Sequence, residues 1–119
     1  MKYKIGAESG IMFSSSKIET TTFGIRARSK HFFSIYYIDR ANAESIKEYG
    51  KFSNILDIRY IKEDVKKVCD TISTYDHQGY FFINNKNKTE IQVDLKLSTK
   101  NKNTIESYVG FTGFGIRLY

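Results

Sequence analysis

The chain has 119 residues, of which 40% are hydrophobic and 15% aromatic, enough to fold as one domain (residues 1–119) with its own core. Nineteen Lys and Arg residues against 13 Asp and Glu residues give a net charge of +6, which favours anionic partners. One cysteine and two histidines exclude an internal disulfide and a structural zinc site, and no apolar run is long enough to span a membrane. Residues 1–6 lack the apolar stretch of a signal peptide, so we expect a cytoplasmic protein with no cofactor and no membrane partner.

Two strands are expected early in the chain, at residues 22–28 and 31–39. The first alternates between two faces. Its residues are Phe23, Ile25 and Ala27 on one face and Gly24, Arg26 and Arg28 on the other. The second is apolar on both faces, which is typical of a strand in the middle of a sheet.

Two helices are expected in the middle of the chain. Asp39 as N-cap and Gly50 just past the end predict a short helix at residues 40–49. A longer amphipathic helix is expected near residues 60–76, followed by Gly79 as a stop, because apolar residues recur every three or four positions. These apolar positions are Ile58, Ile61, Val65, Val68, Ile72 and Tyr75.

The last third of the chain returns to strand patterns. Residues 80–83 and 89–98 predict a hairpin around a polar loop at residues 84–88, and residues 108–119 predict a closing strand. The second hairpin strand would bury Ile91, Val93, Leu95 and Leu97 and expose Gln92, Asp94 and Lys96. This order of elements predicts an α+β fold, a mainly antiparallel sheet of five or more strands from both chain ends with one or two central helices packed on it.

The excess positive charge lies in the two strand-rich ends. Residues 1–30 hold six basic and two acidic side chains, a balance of +4, and residues 79–119 hold six and three, a balance of +3. Residues 31–78, with seven basic and eight acidic side chains, have a balance of −1. A basic face is therefore expected on the sheet rather than on the helices.

The candidate binding residues follow from this charge distribution. Arg26 and Arg28 lie on one face of a strand at a separation that suits successive phosphates, and neighbouring aromatic residues would stack on bases. If the terminal strands share one sheet, Lys96 and Arg117 would converge on the same face. The predicted site is therefore Arg26, Arg28, Lys96, Arg117, Tyr36 and Tyr37. The alternative is a charged strand edge that only prevents aggregation.

Two patterns point to catalysis instead. Asp94 and Lys96 form the D-x-K half of a restriction-type nuclease site, in which the carboxylate binds Mg²⁺, but the second acid is missing from the preceding strand. His31 and His77 are of the type that serves as acid and base in a metal-free ribonuclease. Both patterns are also common without function.

The leading interpretation is a small non-enzymatic protein that binds nucleic acid or another anionic partner through a basic sheet face. The abundance of residues with A/T-rich codons fits an A/T-rich bacterium, its phage or an organelle, and a phage or other mobile element is the source carried in this interpretation. One alternative is a compact nuclease or toxin-like enzyme. The other is a homo-oligomeric assembly subunit, and a homodimer is expected because residues 31–39 and 108–119 carry more aromatic surface than two helices would cover.

Overall fold

A computed structural model describes residues 2–15, 22–54, 58–73, 79–101, 104–107 and 111–117, with the backbone alone for residues 14, 15 and those after 98. Its elements are β1 (Lys2–Ile5), β2 (Ser9–Ser15), β3 (Thr22–Ile38), α1 (Arg40–Tyr49), β4 (Tyr60–Ser73), β5 (Tyr80–Asn85), β6 (Ile91–Asn101), β7 (Thr104–Ser107) and β8 (Phe111–Arg117).

The strands form one antiparallel sheet that is curled into a half-barrel. Six of them follow the order β1-β6-β3-β5-β2-β8, while β4 pairs with β3 and β7 pairs with β6. The sheet thus includes strands from both chain ends, as the sequence predicts. The helical part is smaller than expected, since α1 is the one helix in the described ranges.

The long strand β3 organises the sheet because it is bent in the middle. Arg28 is opposite Lys67 of β4 and Phe33 is opposite Val65, so four residues of β3 face a single residue of β4. We call residues 29–32 the bulge; a bulge increases the local twist and bends its strand. Before the bulge β3 pairs with β6, after it with β5, and β4 runs along its other edge. The two expected strands at residues 22–28 and 31–39 are therefore one bent strand.

The core fills the concave side of this bend. β3 contributes Phe23, Ile25, Ala27, Phe33, Ile35 and Tyr37, and β6 contributes Ile91, Val93, Leu95 and Leu97, all buried. The inward faces expected for residues 22–28 and for the second hairpin strand are confirmed. Burial of so much apolar surface in one cluster is the main driving force for the fold.

The helix α1 covers the outer side of the sheet beyond the bulge. That side is apolar because Tyr36, Ile38 and Phe82 point outward, and they pack against Ala43 and Ile46 of α1. Both expected helix ends are confirmed. The Asp39 carboxylate accepts a hydrogen bond from the Asn42 backbone N–H at 2.9 Å, and Gly50 closes the helix with a left-handed φ of 71°.

The helix expected near residues 60–76 is wrong over residues 60–73, which form the strand β4, and residues 74–76 lie outside the described part of the chain. The apolar residues Ile61, Val65, Val68 and Ile72 are β-branched and suit a strand, and pairing along most of β3 outweighs their three-to-four spacing. Val68 is buried, but Ile61 is 44% exposed, so a continuous buried stripe does not exist. The charged residues between them are exposed on both faces of the strand, as fits a strand that has, among the described strands, a neighbour on one edge alone.

The expected hairpin also needs correction. Its two strands are present as β5 and β6, but in the described sheet each pairs with β3 and not with the other. The loop between them spans the bend. The short strands β1 and β2 are absent from the sequence-based expectation.

Part of the reason for expecting a homodimer disappears with this fold. Phe33, Tyr36 and Tyr37 of the aromatic strand are buried within a single chain. The homodimer itself stays a prediction. Among the described residues no helix combines the length and apolar character needed to cross a membrane.

Candidate anion-binding face

The outer side of the sheet before the bulge carries the candidate site. Strand pairing sets its residues in rows across β4, β3, β6 and β1. One row is Cys69, Arg26 and Lys96, and the next is Lys67, Arg28, Asp94 and Lys2. Directly opposed residues in such pairs have Cβ atoms about 5 Å apart, so the side chains of each row are immediate neighbours.

Alternation along each strand explains why these side chains point outward. Ala27 is buried, which turns its neighbours Arg26 and Arg28 to the outside. Buried Leu95 and Leu97 do the same for Lys96. In β4 the buried Val68 places Lys67 outside, and in β1 the buried Ile5 places Lys4 outside. The apolar core pattern thus determines the composition of the opposite face.

We call this surface the basic face and define it by six cationic residues from four adjacent strands. They are Lys2, Lys4, Arg26, Arg28, Lys67 and Lys96, and each is exposed. Asp94 is the acidic residue within the rows, opposite both Arg28 and Lys2, and two further acidic residues, Asp70 and Glu90, line grooves at the margins. Positive charge therefore dominates the face.

Shallow grooves run across the basic face. A groove of about 580 Å³ lies over Gly24 and is bordered by Arg26, Lys96 and Ser98. Here Gly24 interrupts the outward layer of side chains, and a Cβ at this position would lie 2.5 Å from the Ser98 Oγ. A second groove of about 670 Å³ lies next to the bulge. A third of about 560 Å³ shares residues with both, so the three form one continuous surface.

The bulge borders the second groove and presents an aromatic ring. Lys30 and His31 line the groove, and Phe32 beside them is 53% exposed. The Lys66 Nζ lies 4.7 Å from the centroid of the Phe32 ring, a cation–π contact. Aromatic and cationic groups therefore lie side by side at this end of the basic face.

The structure brings together three of the six predicted site residues. Arg26, Arg28 and Lys96 are neighbours on the basic face. Arg117 is not near them, because it lies on β8 opposite Ser9 of β2, separated from β3 by β5 and β2. The side chain of Arg117 lies outside the described part of the chain.

Tyr36 and Tyr37 are the clearest correction to the predicted site. Both rings are buried. Tyr36 contacts Phe52 and Phe82 with ring centroids 5.0 and 6.0 Å apart, and Tyr37 packs on Phe81 at 4.8 Å. Neither ring is accessible to a base. The expectation failed because a strand that is apolar on both faces indicates burial on both sides.

Sequence analysis missed other members of the face. Lys2 and Lys4 could have been found, because Lys-Tyr-Lys-Ile at residues 2–5 alternates like a strand with one basic face. Lys67 lies in the segment for which the sequence predicts a helix, so it was not expected on the sheet. Phe32 was one aromatic residue among several, and only the bulge distinguishes it from its buried neighbours.

The residues proposed for catalysis have different placements. Asp94 and Lys96 lie on the basic face, and the part of the chain described here contains no group of three His, Cys, Asp or Glu residues arranged to hold a metal ion. His31 is exposed on the bulge, and His77 lies outside the described residues. Among the described residues, Asp94 and Lys96 therefore have cationic neighbours and no further acidic residues placed to complete a metal site with them.

The chain matches no protein-family model, and no curated protein is significantly similar to it in sequence. The assignment of a function consequently depends on the geometry and charge of the basic face.

Proposed function

We propose that this protein is a non-enzymatic protein that binds nucleic acid through its basic face. The observation that supports the proposal most strongly is that six cations from four strands lie on one side of the sheet, each of them exposed among the described residues. A cytoplasmic location belongs to the same proposal.

Electrostatics give this arrangement a physical consequence. Like charges on neighbouring strands repel one another, and at exposed positions such as these water and salt weaken the repulsion. A polyanion that bridges Arg26, Lys96 and their neighbours relieves this repulsion and releases its own condensed counterions. Each phosphate contact therefore contributes favourably to binding.

The geometry of the arginine pair suits a phosphate backbone. Arg26 and Arg28 are two residues apart on one face of β3, a separation of about 6.7 Å along the strand. Each guanidinium offers a planar fork of N–H donors, which makes charge-assisted bonds to phosphate oxygens. Two successive contacts along one backbone fit this spacing.

The contrast between the two halves of β3 also supports the proposal. Beyond the bulge the outer face is apolar and α1 covers it. Before the bulge the outer face is polar and bears open grooves. A partner that covers the open half must therefore match charge rather than apolar shape.

Paired substitutions of equal charge test the proposal. The variant Arg26→Ala with Arg28→Ala removes two positive charges from the basic face. The control, Lys47→Ala with Lys51→Ala, removes two positive charges in or just after α1. Affinity for fluorescent 20-nucleotide single strands and duplexes would be measured by anisotropy at one salt concentration.

We expect the arginine variant to bind at least about tenfold more weakly, from the loss of two charge-assisted contacts, and the control to change by less than about threefold. Melting curves for both variants check that the fold is intact. Equal losses in the two variants would show that the protein has no anion-binding site and is merely basic. Cleavage of either probe in Mg²⁺ would contradict the non-enzymatic role.

A further inference from the structure

We infer that the nucleic acid bound by the basic face is single-stranded, and that a base stacks on Phe32. This inference rests on the proposed function and makes it specific. It starts from the exposure of Phe32, because 53% of a large apolar side chain remains in contact with water. Among the described residues, the other large hydrophobic side chains with high exposure are Tyr49 on α1 and Ile61 on β4. Of the three, Phe32 is the one that directly follows residues lining a cationic groove, Lys30 and His31.

Hydrogen bonds hold the bulge in a defined position. The Ser29 Oγ donates to the Gln92 carbonyl oxygen at 2.7 Å and accepts from the His31 backbone N–H at 3.1 Å. The Asn87 side-chain amide donates to the Phe32 carbonyl oxygen at 2.9 Å. Both sides of the bulge are thus attached to β6 or to the loop before it.

The support for Phe32 extends into the core through two asparagines. Asn87 donates from its backbone N–H and its side-chain amide to the Asn85 Oδ1, at 2.9 and 2.8 Å. Asn85 is fully buried, and its amide donates to the carbonyl oxygens of Ile5, Gly6 and Thr89. A continuous set of amide hydrogen bonds therefore fixes the backbone of Phe32 relative to β1. Because the backbone that carries the ring is already ordered, stacking of a ligand has to order the side-chain torsions of Phe32 and not the bulge itself.

The surroundings of the ring favour a nucleobase beside a phosphate backbone. The Lys66 Nζ approaches the ring to 4.7 Å, while Arg28, Lys30 and Lys4 line the adjacent groove. Aromatic rings that stack bases next to a cationic groove that follows the backbone are the usual means of binding single strands. In a duplex the base faces are stacked on one another, so an exposed ring such as that of Phe32 has no base face to contact.

The experiment compares probes that differ in their bases. They are 20-nucleotide oligo-dT, oligo-rU, an abasic strand of the same length and a duplex, each labelled for anisotropy. The test variant is Phe32→Ala and the matched control is Tyr49→Ala, which removes an exposed ring from α1. Phe32→Trp restores a stacking surface. Melting curves confirm that all variants fold.

We expect Phe32→Ala to weaken binding of the base-bearing single strands by about 5- to 100-fold, the effect of one lost stack. The abasic strand and the duplex should lose less than about twofold, Tyr49→Ala should change nothing, and Phe32→Trp should regain affinity. Binding of either oligo-dT or oligo-rU more tightly than the abasic strand and the duplex supports the inference, and repeating the comparison with oligo-dU against oligo-rU, which differ in the sugar alone, identifies the sugar. An equal loss for the abasic strand, or a duplex bound as tightly as the single strands, overturns it. Those results leave the basic face as a nucleic-acid site, whereas failure to bind any of the four probes overturns the proposed function as well.

Discussion

Phe23 and Tyr37 lie near opposite ends of the same strand, yet their ring centroids are 5.4 Å apart. The contact exists because β3 is bent at the bulge, and it closes the concave core. Both rings also pack on Phe81, at 5.6 and 4.8 Å. The same bend separates the apolar outer face, which α1 covers, from the basic face. A change that disrupts the bend is therefore expected to disrupt the basic face as well.

The contact between Gly79 and Tyr37 gives the first prediction. A Cβ at Gly79 would lie within 2 Å of the Tyr37 ring, which is buried and cannot move aside without disturbing Phe23. We expect Gly79→Ala to lower the free energy of unfolding by about 1–3 kcal/mol through overpacking. The control is Gly6→Ala, because its Cβ would meet only the Ser9 side chain, at 3.7 Å or more. Urea denaturation of both variants measures the difference, and equal midpoints would show that the Tyr37 contact is wrong.

The second prediction concerns Asn42, which attaches α1 to the segment that follows it. Its Oδ1 accepts hydrogen bonds from the backbone N–H groups of Ser53 and Asn54 at 2.9 and 3.0 Å, and its amide donates to the Asn54 carbonyl oxygen at 3.0 Å. Because Asn42 is fully buried, Asn42→Ala leaves these groups unpaired and should destabilise the protein by about 2–4 kcal/mol. Asp39→Ala removes one N-cap bond and should cost about 1 kcal/mol. Thermal unfolding that ranks Asp39→Ala as the more harmful change would contradict this interpretation.

The third prediction is a dependence of stability on alkaline pH. Burial, the hydrogen bond from the Tyr60 hydroxyl to Asp70 and the charge of that carboxylate all raise the pKa of Tyr60 above its usual value of about 10. The folded protein then holds this proton more tightly than the unfolded chain does. This proton therefore contributes to the free energy of unfolding. The contribution is complete below pH 10, and it is lost as the pH rises above the pKa of Tyr60 in the unfolded chain towards its higher pKa in the folded protein.

Tyr60→Phe isolates this effect. The variant is expected to be less stable than the parent at pH 7, because it lacks the hydroxyl group that donates a hydrogen bond to the Asp70 carboxylate. Above pH 10 the parent should lose stability faster, so the two curves of denaturation midpoint against pH converge. Parallel curves would show that Tyr60 has an ordinary pKa in the folded state.

The fourth prediction uses the acidic residue of the basic face. Asp94 is opposite Arg28 and Lys2, so Asp94→Asn removes the negative charge from the middle of the cationic rows. We expect about two- to fivefold tighter binding of a single-stranded oligonucleotide, the effect of one nearby surface charge. A nuclease that uses Asp94 to hold Mg²⁺ would behave differently and lose cleavage in the same variant. Weaker binding by Asp94→Asn would contradict the assigned role of this face.

Much of the sheet could be predicted from alternation, because buried and exposed side chains in β3 and β6 follow the simple period of a strand. The ends of α1 were equally readable, since Asp39 and Gly50 act through local hydrogen bonds and backbone conformation. By contrast, the sequence does not predict that β4 is a strand. Its apolar spacing suits a helix, and only pairing with the bent β3, a contact between distant parts of the chain, makes it a strand.

The same distinction applies to the site. Arg26, Arg28 and Lys96 were predicted because alternation places them opposite buried neighbours. Their adjacency to Lys67 and Lys2 depends on strand order, which local pattern does not specify. Phe32 is exposed at the bulge, whereas Tyr36 and Tyr37 are buried. The bulge arises because β3 has more residues than β4 at this point of their pairing, and no sequence motif predicts it.

The salt dependence of binding tests the central claim most directly. The association constant of the parent for a single-stranded oligonucleotide would be measured between about 50 and 200 mM salt, and log K plotted against log salt concentration. Each phosphate neutralised contributes a slope of about −0.7, so contacts from most of the basic face predict a slope of about −3 to −4. In Arg26→Ala with Arg28→Ala the slope should fall in magnitude by about 1.4, while Lys47→Ala with Lys51→Ala should retain the parent value. A parent slope near zero, or the same slope in both variants, would contradict the claim that the basic face binds nucleic acid.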